Sequence, residues 1–154
     1  MAEAVGQRQV LAFDFGARRI GVAVGNELLG SATALDPIPA RDGIPDWHVI
    51  ERLLQEWQPD VFVVGLPLNM DDTESDMSRR ARKFGNRLHG RFGRPLEMFD
   101  ERGTTRAAKA IAREEGHKGN YRQEGVDGIA AELILTGWFE QQAHGALLNI
   151  PPPR

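Results

Sequence analysis

Asp14 closes the run Gln9-Val10-Leu11-Ala12-Phe13, whose neighbours are core residues. An ionised carboxylate in such surroundings is strongly penalised unless a metal, a cation or hydrogen bonds compensate, so Asp14 is a better functional candidate than any surface acid. The plainer alternative is a turn aspartate bonded to the backbone of Gly16 and Ala17. A second acidic position is the pair Asp100 and Glu101, at the end of the short apolar stretch beginning at Leu96. Successive strand residues face opposite ways, so only one of the two readily joins Asp14. Glu101 is chosen, with Asp100 as the alternative; as ordinary surface residues, Glu101 would pair with Arg102 or Arg106 and Asp100 would cap the next helix. Asp127 follows Gly125 and Val126 in the first turn of the last helix, where an acid often only complements the helix dipole. Its case rests on company. Asp14, Glu101 and Asp127, brought together from two strand ends and a packed helix, would hold one or two hard cations through oxygen, as Mg²⁺ or Mn²⁺ requires.

Two such ions about 4 Å apart activate a water and stabilise a leaving 3′ oxygen, which makes phosphodiester hydrolysis the natural chemistry. Arg18, Arg19, Arg102, Lys118 and Arg122 are the candidates to grip backbone phosphates. The four histidines show no metal spacing and there is no cysteine, so a zinc site, a disulfide and a thiol nucleophile are not expected. The net charge of −3 gives no global argument for a polyanion partner. The charges are segregated, however: residues 1–78 carry 5 basic and 13 acidic side chains, and residues 79–122 carry 13 and 5. The basic block is expected to form a face continuous with the acidic site, a solvated helix surface being the alternative.

These residues need a frame. Gln9–Phe15, Ile20–Val24 and Ala32–Ile38 are predicted strands, with Gly16–Arg19 as a turn, giving a three-strand antiparallel meander. Asp46–Trp57 is a predicted helix with Trp47, Ile50, Leu53, Leu54 and Trp57 on one stripe, and Asp60–Gly65 a fully buried strand ended by Pro67. Thr73–Arg91 is a predicted helix with Met77, Ala81, Phe84 and Leu88 inward. Leu96–Phe99 is a strand, Thr104–Glu115 a helix, Gly116–Gly125 a polar loop and Val126–Gln142 the closing helix. Meander, then alternating helix and strand, is an α/β order with a mixed sheet covered by helices, the RNase H-like order of elements.

At 154 residues, 41% hydrophobic and 27% charged, the chain suits one soluble domain. The domain is expected over residues 9–142, with flexible ends at 1–8 and 143–154. Met1–Gln9 lacks an apolar signal core and Val61–Leu66 is far too short to span a bilayer, so no membrane association and a cytoplasmic location are expected. Two rivals remain. The opening Asp14-Phe15-Gly16 with Ile20-Gly21-Val22-Ala23 also suits the phosphate-gripping hairpin of sugar-kinase and actin-like ATPases, which close two such domains around a nucleotide. A non-catalytic RNA-binding module of ribosome biogenesis would equally use the segregated charge.

Four motifs occur in order: Asp14-Phe15-Gly16-Ala17-Arg18-Arg19-Ile20-Gly21-Val22-Ala23, Gly65-Leu66-Pro67-Leu68-Asn69-Met70-Asp71, Asp100-Glu101-Arg102 and Val126-Asp127-Gly128-Ile129-Ala130-Ala131. With them the chain resembles the YqgF family, the bacterial pre-16S rRNA nucleases also called Holliday-junction-resolvase-like, from about Val10 to Gln141. The resemblance implies an RNase H-like fold, metal-dependent nuclease activity and a role in maturing the 5′ end of 16S ribosomal RNA on ribosomal precursor particles. It places the family's acidic positions on Asp14, the Asp100-Glu101 pair and Asp127. Structured RNA is the expected partner and branched DNA the alternative, and the pattern is compatible with a monomer or a dimer. Asp72, Gly103 and Gly128 depart from the family's usual residues.

Overall fold

The computed structural model describes residues 7–67, 71, 73–101 and 123–148, with side chains of the last helix from 128 to 143. The strands are β1 (Gln9–Asp14), β2 (Arg19–Asn26), β3 (Ser31–Arg41), β4 (Ile44–Pro45), β5 (Val61–Leu66) and β6 (Leu96–Asp100). The described helices are α1 (Trp47–Trp57), α2 (Asp76–Phe92) and α3 (Gln123–Leu148). The sheet runs β4-β3-β2-β1-β5-β6. β1, β2 and β3 form the antiparallel meander, while β5 lies parallel to β1 and β6 parallel to β5. The carboxyl ends of β1, β5 and β6 therefore share one edge.

Alternation along β1 explains its central place, because both of its faces are apolar and both are covered. Leu11 and Phe13 join Phe62, Val64, Ile50, Leu54, Ala81, Phe84 and Leu88 in a core layer under α1 and α2. Val10 and Ala12 join Val61, Val63 and Phe99 in a second layer under α3, through Ala131, Ile134, Leu135 and Trp138. Full burial of each such large side chain contributes about 1.5–3 kcal/mol, so the two layers fix the register of β1 between its neighbours. Slipping it by one residue would exchange every side chain between layers and drive Asp14 into the α1–α2 core.

Capping sets the helix starts. The Asp46 side chain accepts from the His48 amide at 3.0 Å, so α1 begins at Trp47. In α2 the Ser75 hydroxyl accepts from the Ser78 amide and the Ser78 hydroxyl from the Ser75 amide, each at 3.1 Å. This reciprocal cap starts the helix at Asp76, not at the expected Thr73. It also rotates the inward stripe: Ser78, Ala81, Phe84, Gly85 and Leu88 are buried, whereas Met77, expected inward, is 37% exposed. Ser78 occupies the inner position because its hydroxyl donates to the Pro67 carbonyl as well.

Other boundaries shift for local reasons. β3 extends past the expected Ile38 to Arg41, and a turn at Asp42 and Gly43, both with positive φ, folds it back into the short β4. α3 starts at Gln123, inside the expected polar loop, and continues past Gln142 to Leu148, since no proline interrupts the chain before Pro151. Arg8, expected in a flexible end, is held in the fold: its guanidinium makes two 3.0 Å bonds to the Glu27 carboxylate and lies 5.1 Å from the Trp138 ring centre. The hydrogen bond to Glu27 raises the Arg8 pKa against the opposing effect of burial. No helix among the described residues is long and apolar enough to cross a membrane.

Candidate functional site

The site is built where parallel strands end, the usual place for ligands in open α/β sheets. Asp14 is the last residue of β1, and by alternation it faces the same way as Val10 and Ala12, toward the α3 layer. On β6, Leu96 and Met98 pack in the α1–α2 layer and Phe99 in the α3 layer. Asp100 therefore faces the α1–α2 side, and Glu101, immediately after the strand, takes the side of Phe99. Asp14 and Glu101 share a face; Asp100 does not.

Between their strands runs β5. Adjacent strands lie about 4.8 Å apart, so the backbones of β1 and β6 are separated by roughly 10 Å, and acids on them approach only by leaning over β5. Gly65 provides the room. Its neighbours Val61 and Val63 fill the α3 layer, but at Gly65 the Glu101 carboxylate occupies the space that a side chain would take: a Cβ there would lie 2.7 Å from Glu101 Oε1 and 3.1 Å from its Cδ. The same Cβ would also run into Ile134 of α3. Glutamate has the length for this reach. A glycine at the end of a strand otherwise built of Val, Phe and Leu is the signal in the sequence that could have found this position.

α3 runs antiparallel to β1, since Ile134 sits over Gly65 near the strand ends and Trp138 under Arg8 near the strand starts. Its N-terminus thus points to the acidic edge. Asp127 lies on the backbone of α3, seven residues ahead of Ile134 and on the helical stripe of Ala131 and Ile134, while its side chain is outside the described residues. One residue along, Gly128 lets the helix sit close on β3: a Cβ at this position would lie 2.9 Å from that of Ala34. The Glu132 carboxylate accepts from the Ala34 amide at 2.8 Å, fastening the helix there. An alanine at 128 would press on this contact.

Of the expected phosphate-gripping residues, Arg18 is exposed in the turn after β1 and Arg19, half-buried, is the first residue of β2. Arg102, Lys118 and Arg122, with the predicted helix Thr104–Glu115, lie outside the described residues. The expected continuity of the basic face is interrupted in the described part, because α2 covers the sheet face opposite α3. Arg91, near its far end, lies 4.2 Å from the Trp47 ring centre, and Arg82 pairs with Glu74. Only the first turns of α2 reach the acidic edge. The cavity of about 750 Å³ lined by Gln9, Asn26, Trp57, Asp60 and Arg94 opens at the opposite edge, where the strands begin, and takes no part in the acidic site.

The donor set suits a hard cation: carboxylate oxygens, no histidine or cysteine, and a glycine-made recess beneath them. Among the described residues no three such groups lie close enough to complete a metal site, and Asp127 is the expected third.

Residues 8–141 match the family described as RuvX, Holliday junction resolvase. A protein of Chromohalobacter salexigens, named as a candidate pre-16S rRNA nuclease, is 80% identical over 139 residues, covering 90% of this chain and 93% of its own length. One of the same name from Saccharophagus degradans is 63% identical over 132 residues, covering 86% and 93%. Among solved structures, T. thermophilus RuvC in complex with a Holliday junction substrate superposes with a TM-score of 0.53 at 17% identity, covering 89% of this chain and 96% of that one. The yeast mitochondrial Holliday junction resolvase gives 0.56 at 12% identity, covering 90% and 80%. At such identities the likeness is one of fold: mixed α/β and RNase H-like, as the order of elements predicts.

Proposed function

The chain belongs to the RuvX Holliday junction resolvase family, and from this premise we propose that it is a metal-dependent nuclease that hydrolyses phosphodiester bonds in the 5′ leader of 16S ribosomal RNA precursors. The substrate follows from close relatives named for that RNA. The observation that carries the chemistry is the Glu101 carboxylate lying over Gly65, on the sheet face shared with Asp14 and at the end to which α3 brings Asp127.

Asp14, Glu101 and Asp127 would hold the cation, Mg²⁺ or Mn²⁺ being the ions that such oxygen donors favour. When bound, the metal supplies an activated water and offsets the charge that develops on the leaving 3′ oxygen. The chain's own share is positioning. β1 fixes Asp14 through a register locked by two core layers, and the recess at Gly65 holds Glu101 inward. Arg18, exposed in the turn after Asp14, would hold a phosphate of the strand being cut, with Arg19, Arg102, Lys118 and Arg122 as further contacts. A cytoplasmic location on ribosomal precursor particles goes with this substrate.

Branched DNA is the second reading, favoured by the family's description as a Holliday junction resolvase. A single comparison separates the possibilities: purified protein incubated with 16S precursor RNA, a four-way DNA junction and a linear duplex, each with Mg²⁺, Mn²⁺ or EDTA. Metal-dependent cleavage of the precursor near the mature 5′ end is expected. Cleavage of the junction alone would move the assignment to DNA. Binding without cleavage under every condition would make the chain an RNA-binding module, and nucleotide hydrolysis with intact nucleic acids would revive the ATPase alternative.

A further inference from the structure

The turn that follows Asp14 is clamped from the side away from Glu101. The Gly43 amide donates to the Ala17 carbonyl at 2.9 Å and the Ala40 amide to the Arg18 carbonyl at 2.8 Å, so the β3–β4 hairpin holds the turn in place. Phe15, the residue after Asp14, turns its ring to the α1–α2 side, 5.5 Å from the Phe84 ring centre. Above it stands Arg80, from the second turn of α2, with its guanidinium carbon 5.9 Å from the Phe15 ring centre. Arg80 also touches the hairpin: a Cβ on Gly43 would lie 3.2 Å from Arg80 Nη2 and 2.7 Å from the tip of Phe15. Gly43 has a φ of +78°, so glycine serves there both for its backbone and for the room it leaves.

A half-buried guanidinium normally has a carboxylate partner, and among the described residues Arg80 has none. Among the described residues Arg18, exposed in the same turn, has none either. Asp42, beside Gly43 in the exposed hairpin turn, makes no ion pair with either of them. Two cations thus belong to the surroundings of the turn that follows Asp14, one of them oriented by an aromatic ring and a glycine. The arginine is ordered before any ligand arrives, so less side-chain freedom is lost on binding.

We propose that Arg80, with Arg18, binds a phosphate of the nucleic-acid strand where it crosses the carboxyl edge of the sheet, on the far side of β1 from the acidic residues. The inference rests on the nuclease reading and deepens it. The substrate would be gripped on both sides of the β1 end, by the Asp14–Glu101 face on one and by Arg80 on the other. The basic surface of α2 then takes part through its first turns only. Arg91, about 16 Å further along the helix at 1.5 Å per residue, lies outside the path.

The test is binding of a fluorescein-labelled four-way DNA junction and of a labelled 16S leader RNA, both in EDTA so that nothing is cleaved, across a salt series. Arg80→Gln is expected to raise Kd roughly tenfold at moderate salt, the weight of one charged contact. It is also expected to lower the slope of log K against log salt by about 0.9 on duplex arms or about 0.7 on single-stranded RNA. Arg80→Lys should keep the slope while losing part of the affinity, because it retains the charge without the two-pronged geometry. Arg18→Gln, in an exposed turn that it does not hold together, should lower the slope by the same amount, and Arg91→Gln should leave it unchanged. If Arg80 only packs on Phe15, Arg80→Gln lowers the melting temperature and leaves slope and Kd at wild-type values, and the inference is wrong. An equal loss of slope in Arg91→Gln would overturn it too. Wild type that binds neither probe would instead remove the nuclease reading on which the inference rests.

Discussion

Replacing Gly65 with alanine adds one methyl group at the point where the acidic site is most tightly determined. The new Cβ would stand 2.7 Å from Glu101 Oε1 and 2.5 Å from Ile134 Cδ1. Comfortable contacts begin near 3.5 Å, so the carboxylate would have to retreat by about 0.8 Å, and Ile134 by about 1 Å, or α3 must lift. Overpacking of this kind costs about 1–3 kcal/mol, which for a chain of this length is a fall in Tm of roughly 2–12 °C. The protein should still fold. A displacement of about 1 Å at a metal-binding carboxylate is large for catalysis, and a loss on the order of a hundredfold in rate is expected. The assay is single-turnover cleavage of the leader RNA and of the four-way junction with saturating protein, so that weakened binding does not masquerade as slow chemistry. Excess Mn²⁺ should restore part of the rate if the damage is to metal affinity. A Gly65→Ala protein that cuts at the wild-type rate with the wild-type dependence on Mg²⁺ would show that Glu101 over Gly65 is packing alone.

Two further perturbations test the frame that carries the site. Ser78→Ala removes one half of the reciprocal cap of α2, the acceptor of the Ser75 amide, and leaves the Pro67 carbonyl without its hydroxyl donor, so a loss of about 1–2 kcal/mol is expected in chemical denaturation; unchanged stability would mean that the buried hydroxyl contributes nothing net. Arg8→Ala takes the guanidinium away from the largely buried Glu27 carboxylate and uncovers Trp138, and a loss of about 1–3 kcal/mol is expected, with cleavage by the folded protein unaffected because the pair sits at the opposite edge from Asp14. Cleavage lost in step with stability would contradict that separation.

Asp14 could be picked from the sequence because an acid ending an apolar strand is physically conspicuous whatever the register. The choice between Asp100 and Glu101 could not be derived from sequence in the same way: alternation says that they oppose each other, and only the layers occupied by Met98 and Phe99 say which side each takes. Gly65 was visible as a residue but its use was not, since the space it leaves acquires meaning only when Glu101 leans across from a strand thirty-odd positions later. The inward stripe of α2 was misassigned at Met77 because helical periodicity does not weigh a capping serine, which here outcompetes a methionine for the buried position. Charge segregation along the chain likewise does not tell which face of a sheet a helix covers, and α2 covers the face away from α3. The meander and the parallel strands were legible because continuous apolar runs and turn residues punctuate them.

The central claim is that the acidic edge cuts phosphodiester bonds, and Asp14→Asn tests it most directly. The replacement is nearly isosteric and keeps the residue polar, but it removes the charge needed to hold a cation. Folding and nucleic-acid binding in EDTA are expected to stay close to wild type, with thermal stability unchanged or slightly higher as repulsion among the carboxylates is relieved. Cleavage in Mg²⁺ is expected to fall by on the order of a hundredfold or more. An Asp14→Asn protein that is folded, binds substrate and cleaves as fast as wild type would make Asp14 a turn residue and refute the mechanism.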